Sequence, residues 1–466
     1  MHRTVILSEV KDLSVDPGGI LRSLRFLRMT VWGLISAIGL LASCTGQSQD
    51  RDEITLRFWG FGREGEVVQE LMPEFERRNP GIRVRVQQIP FTAAHEKLLT
   101  AFVGDATPDL AQIGNTWIPE FAALGALEPL DTLVGKSKAI DSSDYFSGIW
   151  NTNLIGDTLF GIPWYVDTRV LFYRKDILAR AGYREMPSTW AEWRKCMEAI
   201  KRQSLPARGG GGESQRYAIF LPTNEWAQPY VLGMQAGSTL LDAEGRYGVF
   251  SDSAFRRGFD FYVGLYRSGL APALGNIEIA NVYQEFARGR FAMYITGPWN
   301  LGEFRDRLPA ELQDDWSTAP LPGPTGDSSG VSLAAGSSLA VFAASPHKDA
   351  AWKLVEYLSS SEQQERFHRL TGDLPARIET WRRTGLADEP KARAFWVQLH
   401  RVRPVPKVPE VELIATRVLE SAELVIRGRR PAEAALKELD RDVATILEKR
   451  RWMLDRAALE RKEHPR

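Results

Sequence analysis

The order of apolar runs predicts an α/β fold in two lobes, each a mostly parallel sheet flanked by helices, with three hinge crossings between them. Three observations carry this. Between Ile54 and Gly114 short β-rich runs alternate with helical stretches, as in successive βαβ units. Some 420 residues remain after an N-terminal leader, more than one compact core accommodates. Later segments place proline, small residues and aromatics between apolar strands, as a chain does when it passes from one lobe to another.

The leader comes first. Arg22, Arg25 and Arg28 precede an uncharged apolar run that starts at Met29 and closes on Leu41-Ala42-Ser43-Cys44. A cationic start, an apolar middle and small residues before a cut are the parts of a secretory signal, and the run is too short for a bilayer core of about 30 Å. The closing tetrapeptide resembles the lipobox of bacterial lipoproteins. That resemblance implies cleavage before Cys44, lipid on its thiol, and an exported chain tethered to a membrane in the periplasm or at the cell surface. An uncleaved anchor or an ordinary signal peptide is the alternative. Residues 1–44 are thus the signal, with a start codon further downstream left open, and residues 45–53 form a polar tether.

From Ile54 the runs ITLRFWG, IRVRVQQIP and DLAQIG read as strands, with EVVQELMPEFERRNPG and AAHEKLLTAFVGD as the helices between them. Asn79-Pro80-Gly81 is a helix stop. Ligands of open α/β sheets bind beyond the carboxyl ends of strands, and here those ends carry Trp59-Gly60-Phe61, Gln88 and Asn115-Thr116-Trp117. The expected crossings are LFGIPWYVDTRVLFYRKDIL (159–178), GRFAMYITGPWNLGEF (289–304) and VSLAAGSSLAVFAAS (331–345). They divide the chain into an N-terminal lobe of residues 54–166 and 297–343 and a C-terminal lobe of residues 167–296 and 344–466. After Pro346 the pattern is mainly helical.

Composition excludes several classes. Lys plus Arg equals Asp plus Glu at 59 each, so no overall field favours nucleic acid or anionic lipid, and a neutral small molecule is the expected partner. Of the two cysteines, Cys44 is assigned to lipid and Cys196 is left without an intramolecular partner. Gly209 to Gly212 lack a following Lys-Ser or Lys-Thr and read as a loop, not a phosphate cradle. The six histidines show no metal spacing. Met293 reads as strand core, and Lys449-Arg450-Arg451 as a solvated helix end.

In order and spacing these pieces resemble the family 1 extracellular solute-binding proteins, the carbohydrate-binding subunits of bacterial ABC importers related to maltose-binding protein. YVDTRVLFYRKDIL, GRFAMYITGPW, AASPHKDAAWKLVEYL and TGDLPAR carry the resemblance, which covers the chain after Glu53. AAGSS stands where many members have paired glycines, a departure that concerns the local backbone. The resemblance implies a type II periplasmic-binding-protein fold, a sugar held between lobes, a separate permease and ATPase as partners, and neither catalysis nor a cofactor. A monomer is expected.

A sugar offers hydroxyls and flat C–H faces, so its site needs aromatic platforms with carboxylates or amides at their edges. Trp299, with Asn300 beside it, resembles a stacking tryptophan of the family; Trp226 sits where the family often has a second platform, a role open also to Glu225 or Tyr230. Asp167 matches an acid the family uses, and Tyr165 shares its side at strand spacing. Trp59, Trp117 and Trp164 are either ligand contacts or core. Glu64 and Asn115 follow strands and are either hydroxyl partners or helix-start residues. Arg377 resembles a position that reaches the cleft in some relatives, with a surface role equally open. The rival readings are the same fold with a glycerol phosphate, polyamine, thiamine or ferric ligand, and a secreted carbohydrate-active enzyme. A retaining glycosidase would need two carboxyls about 5 Å apart, and the sequence pairs no convincing second acid with Asp167.

Overall fold

Alternation of apolar and polar residues in ITLRFWGF and IRVRVQQI makes β1 (Ile54–Phe61) and β2 (Ile82–Ile89) a parallel pair, in register from Ile54↔Ile82 to Phe61↔Ile89. The computed structural model describes residues 53–203, 216–326, 328 and 330–463, and residues 51–466 form one compact unit. The signal, Cys44, most of the tether and the Gly209–Gly212 loop lie outside the described residues. In chain order the further strands are β3 (Leu110–Gly114), the short hairpin β4 (Leu154–Ile155) and β5 (Thr158–Leu159), β6 (Ile162–Asp167), β7 (Val170–Arg174), β8 (Tyr217–Phe220) and β9 (Phe291–Thr296). After these come β10 (Trp316–Ala319), β11 (Ser332–Leu333), β12 (Ala335–Val341), β13 (Leu374–Pro375) and β14 (Val402–Arg403).

The first sheet has the order β13-β6-β12-β3-β1-β2 and the second β10-β7-β9-β8. In the first sheet only β12 and β13 run against the rest; in the second only β7 does. β7 and β12 each enter their sheet directly from a crossing. A strand that arrives from the other lobe starts at the end where its neighbours finish, so it must run the opposite way.

Two pieces of expected topology are corrected. GRFAMYITGPW is not a crossing: β9 lies between β7 and β8, and β10 returns to pair with β7, so residues 297–319 belong to the second lobe. The helix Trp299–Arg307 after Gly297-Pro298 packs back through Phe304 on Phe172 and Trp316 of its own sheet. Conversely, Leu374 and Pro375 pair with Val166 and Tyr165, and the helix Lys348–Leu358 packs on β12, so residues 344–375 belong to the first lobe. The three crossings are Asp167–Arg169, the approach to β11, and the stretch from the helix Ile378–Thr384 through β14 to the helix Val411–Ile426; within that stretch the helix Arg393–Leu399 already packs on β7 and β10, and Val411–Ile426 packs on second-lobe helices.

Each lobe is built by periodicity. Trp193, Cys196, Met197 and Ile200 recur at helical spacing on Trp190–Arg202 and are buried with Phe255, Phe259 and Tyr262 of Ser253–Arg267. In the first lobe Trp59, Phe61, Ala111 and Ile113 pack with Ala94 and Leu98 of the helix Phe91–Val103. The departure at AAGSS has a steric reason. Gly336 has φ +131, and a Cβ there would stand 2.3 Å from the Tyr165 carbonyl oxygen, so β12 approaches β6 as only glycine allows. No helix among the described residues is long and apolar enough to cross a membrane.

Candidate functional site

The carboxyl ends of β6, β8 and β9 converge on the first crossing, and the residues just beyond them form one bonded group. Asp167 closes β6 and accepts from Arg169 Nη1 at 2.8 Å and 2.9 Å, while Arg169 Nη2 donates to Glu225, after β8, at 3.2 Å. Gln228 Nε2 donates to the other Glu225 oxygen at 3.4 Å. The guanidinium lies 4.7 Å from the ring centre of Trp299, after β9. Arg169 is only 7 % exposed. Burial opposes its charge, but Asp167 and Glu225 raise its pKa above the ordinary arginine value. Burial likewise raises the Asp167 carboxyl, with Arg169 pulling it the other way.

Trp299 is 46 % exposed, an unusual state for so large a ring. It borders a hollow of about 370 Å³ shared with Glu225, Asn281, Tyr283, Tyr294 and Asn300. Asn300 is held by Tyr283 Oη, which donates to its Oδ1 at 2.9 Å, and by its own Nδ2, which donates to Thr296 Oγ1 at 2.7 Å. An aromatic face with carboxylate, amide and phenol groups around it suits a polyhydroxylated ring.

The first lobe brings a second group beside Asp167. Gly60 and Gly65 touch so closely that a Cβ on Gly65 would lie 2.5 Å from the Gly60 carbonyl, which seats the helix Gly62–Val67 and Glu64 over the end of β1. Gln112 Oε1 accepts from Phe61 N at 2.8 Å, and this orients its Nε2 to donate to Tyr165 Oη at 2.9 Å. Ser337 Oγ reaches the same phenol at 2.9 Å. Asp373, of the TGDLPAR segment, completes the group: burial, then Glu64, push its carboxyl up to about 8. Burial raises Glu64 too, and burial with the charges of Glu64 and Asp373 raises Tyr165.

This gives a pH dependence with a definite sign. A carboxyl raised from about 3.9 to about 8 keeps in the folded state a proton that the unfolded chain has released. Its stabilisation is therefore complete below about pH 4 and is lost as pH rises through about 8, with a slope of at most ~1.4 kcal/mol per unit. Burial lowers the neighbouring His368, whereas the hydrogen bond to Glu120 raises His95, so the comparison with a variant that lacks only the Asp373 carboxyl is what separates the carboxyl from the histidines. Denaturant midpoints between pH 6.5 and 8.5 should fall in the wild type and fall less in Asp373→Asn; equal slopes would refute the buried proton.

The other expected site residues make none of the bonds of these two groups. Trp164 is core, stacked on Phe367 with ring centres 4.3 Å apart. Trp117 packs among Phe61, Phe91 and His95, and Trp59 lies in the layer under the helix Phe91–Val103 with Lys97 over its ring. Their side chains leave the strand ends for the sheet faces, where apolar area is buried. Arg377 ties first-lobe segments together, bonding to Asp144 and to the carbonyls of Ala139 and Ser359. Asn115 accepts from Ser338 Oγ at 2.9 Å and lines a small chamber with Thr116, Ala334 and Pro404 to Lys407; Thr116 donates to Glu412 of the second lobe. Trp226, half-buried, stands edge-on to Tyr230 at 5.1 Å. Sequence reasoning did not single out Arg169, Gln112, Tyr283, Tyr294 or Asp373. Arg169 and Asp373 lie inside YVDTRV and TGDLPAR, two of the segments that carry the resemblance, and that place was the available signal. Among the described residues no group of three or more His, Cys, Asp or Glu could hold a metal ion.

The sequence model described as bacterial extracellular solute-binding protein matches residues 61–365. Among solved structures, the chain is similar to the sugar-binding protein MalE from Xanthomonas citri, with a TM-score of 0.81 and 50% identity over 86% of this chain and 99% of that one. It is also similar to an ABC transporter solute-binding protein from Thermotoga lettingae bound with α-D-tagatose, with a TM-score of 0.69 and 25% identity over 84% and 100% of the two chains. The diacetylchitobiose binding protein DasA of Streptomyces coelicolor is 25% identical over 429 residues, 86% of this chain and 96% of the relative.

Proposed function

Since this chain belongs to the bacterial extracellular solute-binding proteins, we propose that it is a lipid-anchored receptor that captures a sugar or oligosaccharide between its lobes and hands it to an ABC importer. The observation that carries the sugar is the half-exposed Trp299 ring, bordered by Glu225, Asn281, Tyr283 and Asn300 around a hollow of about 370 Å³. The stack takes the C–H face of a pyranose, and the surrounding oxygens and amides take its hydroxyls. The relatives support the same ligand class, named as they are for sugar or diacetylchitobiose.

Binding needs no covalent step. A ligand drives the lobes together only by binding the closed form better than the open one, so it must contact both. Tyr165 and Glu64 provide contacts from the first lobe, Trp299 and Glu225 from the second, and Asp167 stands at the crossing between them. The anchor is Cys44, and its acylation is read from the mass of the mature N-terminal peptide.

A thermal-shift screen of the chain from Thr45 tests the ligand, with mono- and oligosaccharides set against polyamines, phosphate esters and ferric ion. A saturable rise in Tm with one sugar class, and no turnover of that sugar, is expected. A rise only with a control ligand overturns the sugar. Trp299→Ala should then weaken binding of that sugar by about 1–3 kcal/mol in calorimetry, through lost stacking and apolar area; wild-type affinity would remove Trp299 from the site.

A further inference from the structure

We propose that Arg169 is the positioning residue of this cleft: from the first crossing it holds Asp167, Glu225 and the Trp299 platform in one arrangement, and Ser332 fixes the backbone that presents it. Only the meaning of these groups as ligand contacts rests on the receptor reading above. The positioning itself stands on bonds within the chain.

Three strand ends supply the three partners, and none of the three touches another by a hydrogen bond found among the described residues. Asp167 ends β6 of the first sheet; Glu225 and Trp299 follow β8 and β9 of the second. The guanidinium meets all of them at once. Nη1 is committed to Asp167, Nη2 to Glu225, and the plane itself to the indole face at 4.7 Å. A planar fork with separate donors and a stacking face can do this, and a lysine ammonium cannot.

The backbone of Arg169 is pinned as firmly as its side chain. Its N–H donates to Ser332 Oγ at 3.1 Å, and that same hydroxyl donates to its carbonyl at 2.8 Å. Ser332 is itself fully buried and pairs with β14, its own N–H bonding the Arg401 carbonyl at 3.0 Å. Ser332 is thus the point at which all three crossings are joined. Arg169 is presented from that junction, and its bonds set the carboxylates and the ring in place ahead of a ligand. Preorganisation of this kind removes part of the ordering cost of binding.

The test reads Trp299 directly, without ligand. In 5-fluorotryptophan-labelled chain from Thr45, the Trp299 resonance is assigned by its loss in Trp299→Phe. Spectra are then compared for wild type, Arg169→Lys and Ser332→Ala. The expected result is displacement of the Trp299 resonance beyond its linewidth in both variants, with the resonances of the buried Trp352 and Trp381, assigned in the same way, in place as the sign of an intact fold. Should Arg169→Lys not fold, Ser332→Ala alone decides. An unmoved Trp299 resonance in a folded variant overturns the proposal. Failure of every sugar to bind the wild type would instead overturn the receptor reading and leave the displaced resonance standing.

Discussion

Replacing Arg169 with methionine is expected to destabilise the protein by about 3–5 kcal/mol. The side chain is 7 % exposed and is the ion-pair partner of both Asp167 and Glu225. Its loss strands two carboxylates, one at the end of each sheet, and removing one member of a buried ionic group costs more than the group contributes as a whole. The combined variant Arg169→Met, Asp167→Asn, Glu225→Gln should therefore recover a large part of the loss, because no charge is left unpaired. Denaturant unfolding with a constant m-value measures both. A single substitution that costs less than about 1 kcal/mol would place the triad with ordinary surface pairs and contradict its burial.

Trp164→Ala has an effect of similar size and opposite meaning. The indole is 1 % exposed, stacked on Phe367 at 4.3 Å and edge-on to Phe58 at 6.0 Å. Its truncation opens a cavity between β6 and the helix Ser361–Thr371, at an expected cost of about 3–5 kcal/mol. Under conditions where the variant stays folded, its sugar affinity should fall far less than that of Trp299→Ala, since the ring is buried and reaches the cleft only through its neighbour Tyr165, 6.1 Å away. A stable variant with lost affinity would return Trp164 to the ligand.

These two tryptophans show what the sequence could and could not convey. Trp164 and Trp299 each adjoin a strand beside proline, and local pattern treats them alike. What separates them is the partner: Phe367 arrives from about two hundred residues later, whereas Trp299 meets a guanidinium and solvent. The parallel β1–β2 pair was legible because its alternation is local. The lobe boundaries were not, because pairing of β10 with β7 or β13 with β6 is a long-range event that leaves no periodicity of its own. Asp167 was found through its place in a motif; Arg169, two residues on, was overlooked because an arginine in an apolar run reads as an exit from the core until its two carboxylates are seen. Asp373 was overlooked for a related reason: a single acid in a loop gives no sign that burial and Glu64 will keep it protonated.

The place of β12 in the first sheet sets the timing of folding. β3 and β6 are not neighbours; β12 fills the space between them and bonds to both. Until synthesis has passed Val341, a growing chain carries two open strand edges facing an empty slot, however complete the segments before it are. Closing that slot requires contacts across some 170 to 230 residues of sequence, the long-range kind that slows folding. The sheet of the first lobe is therefore completed only after the middle of the second lobe has been made.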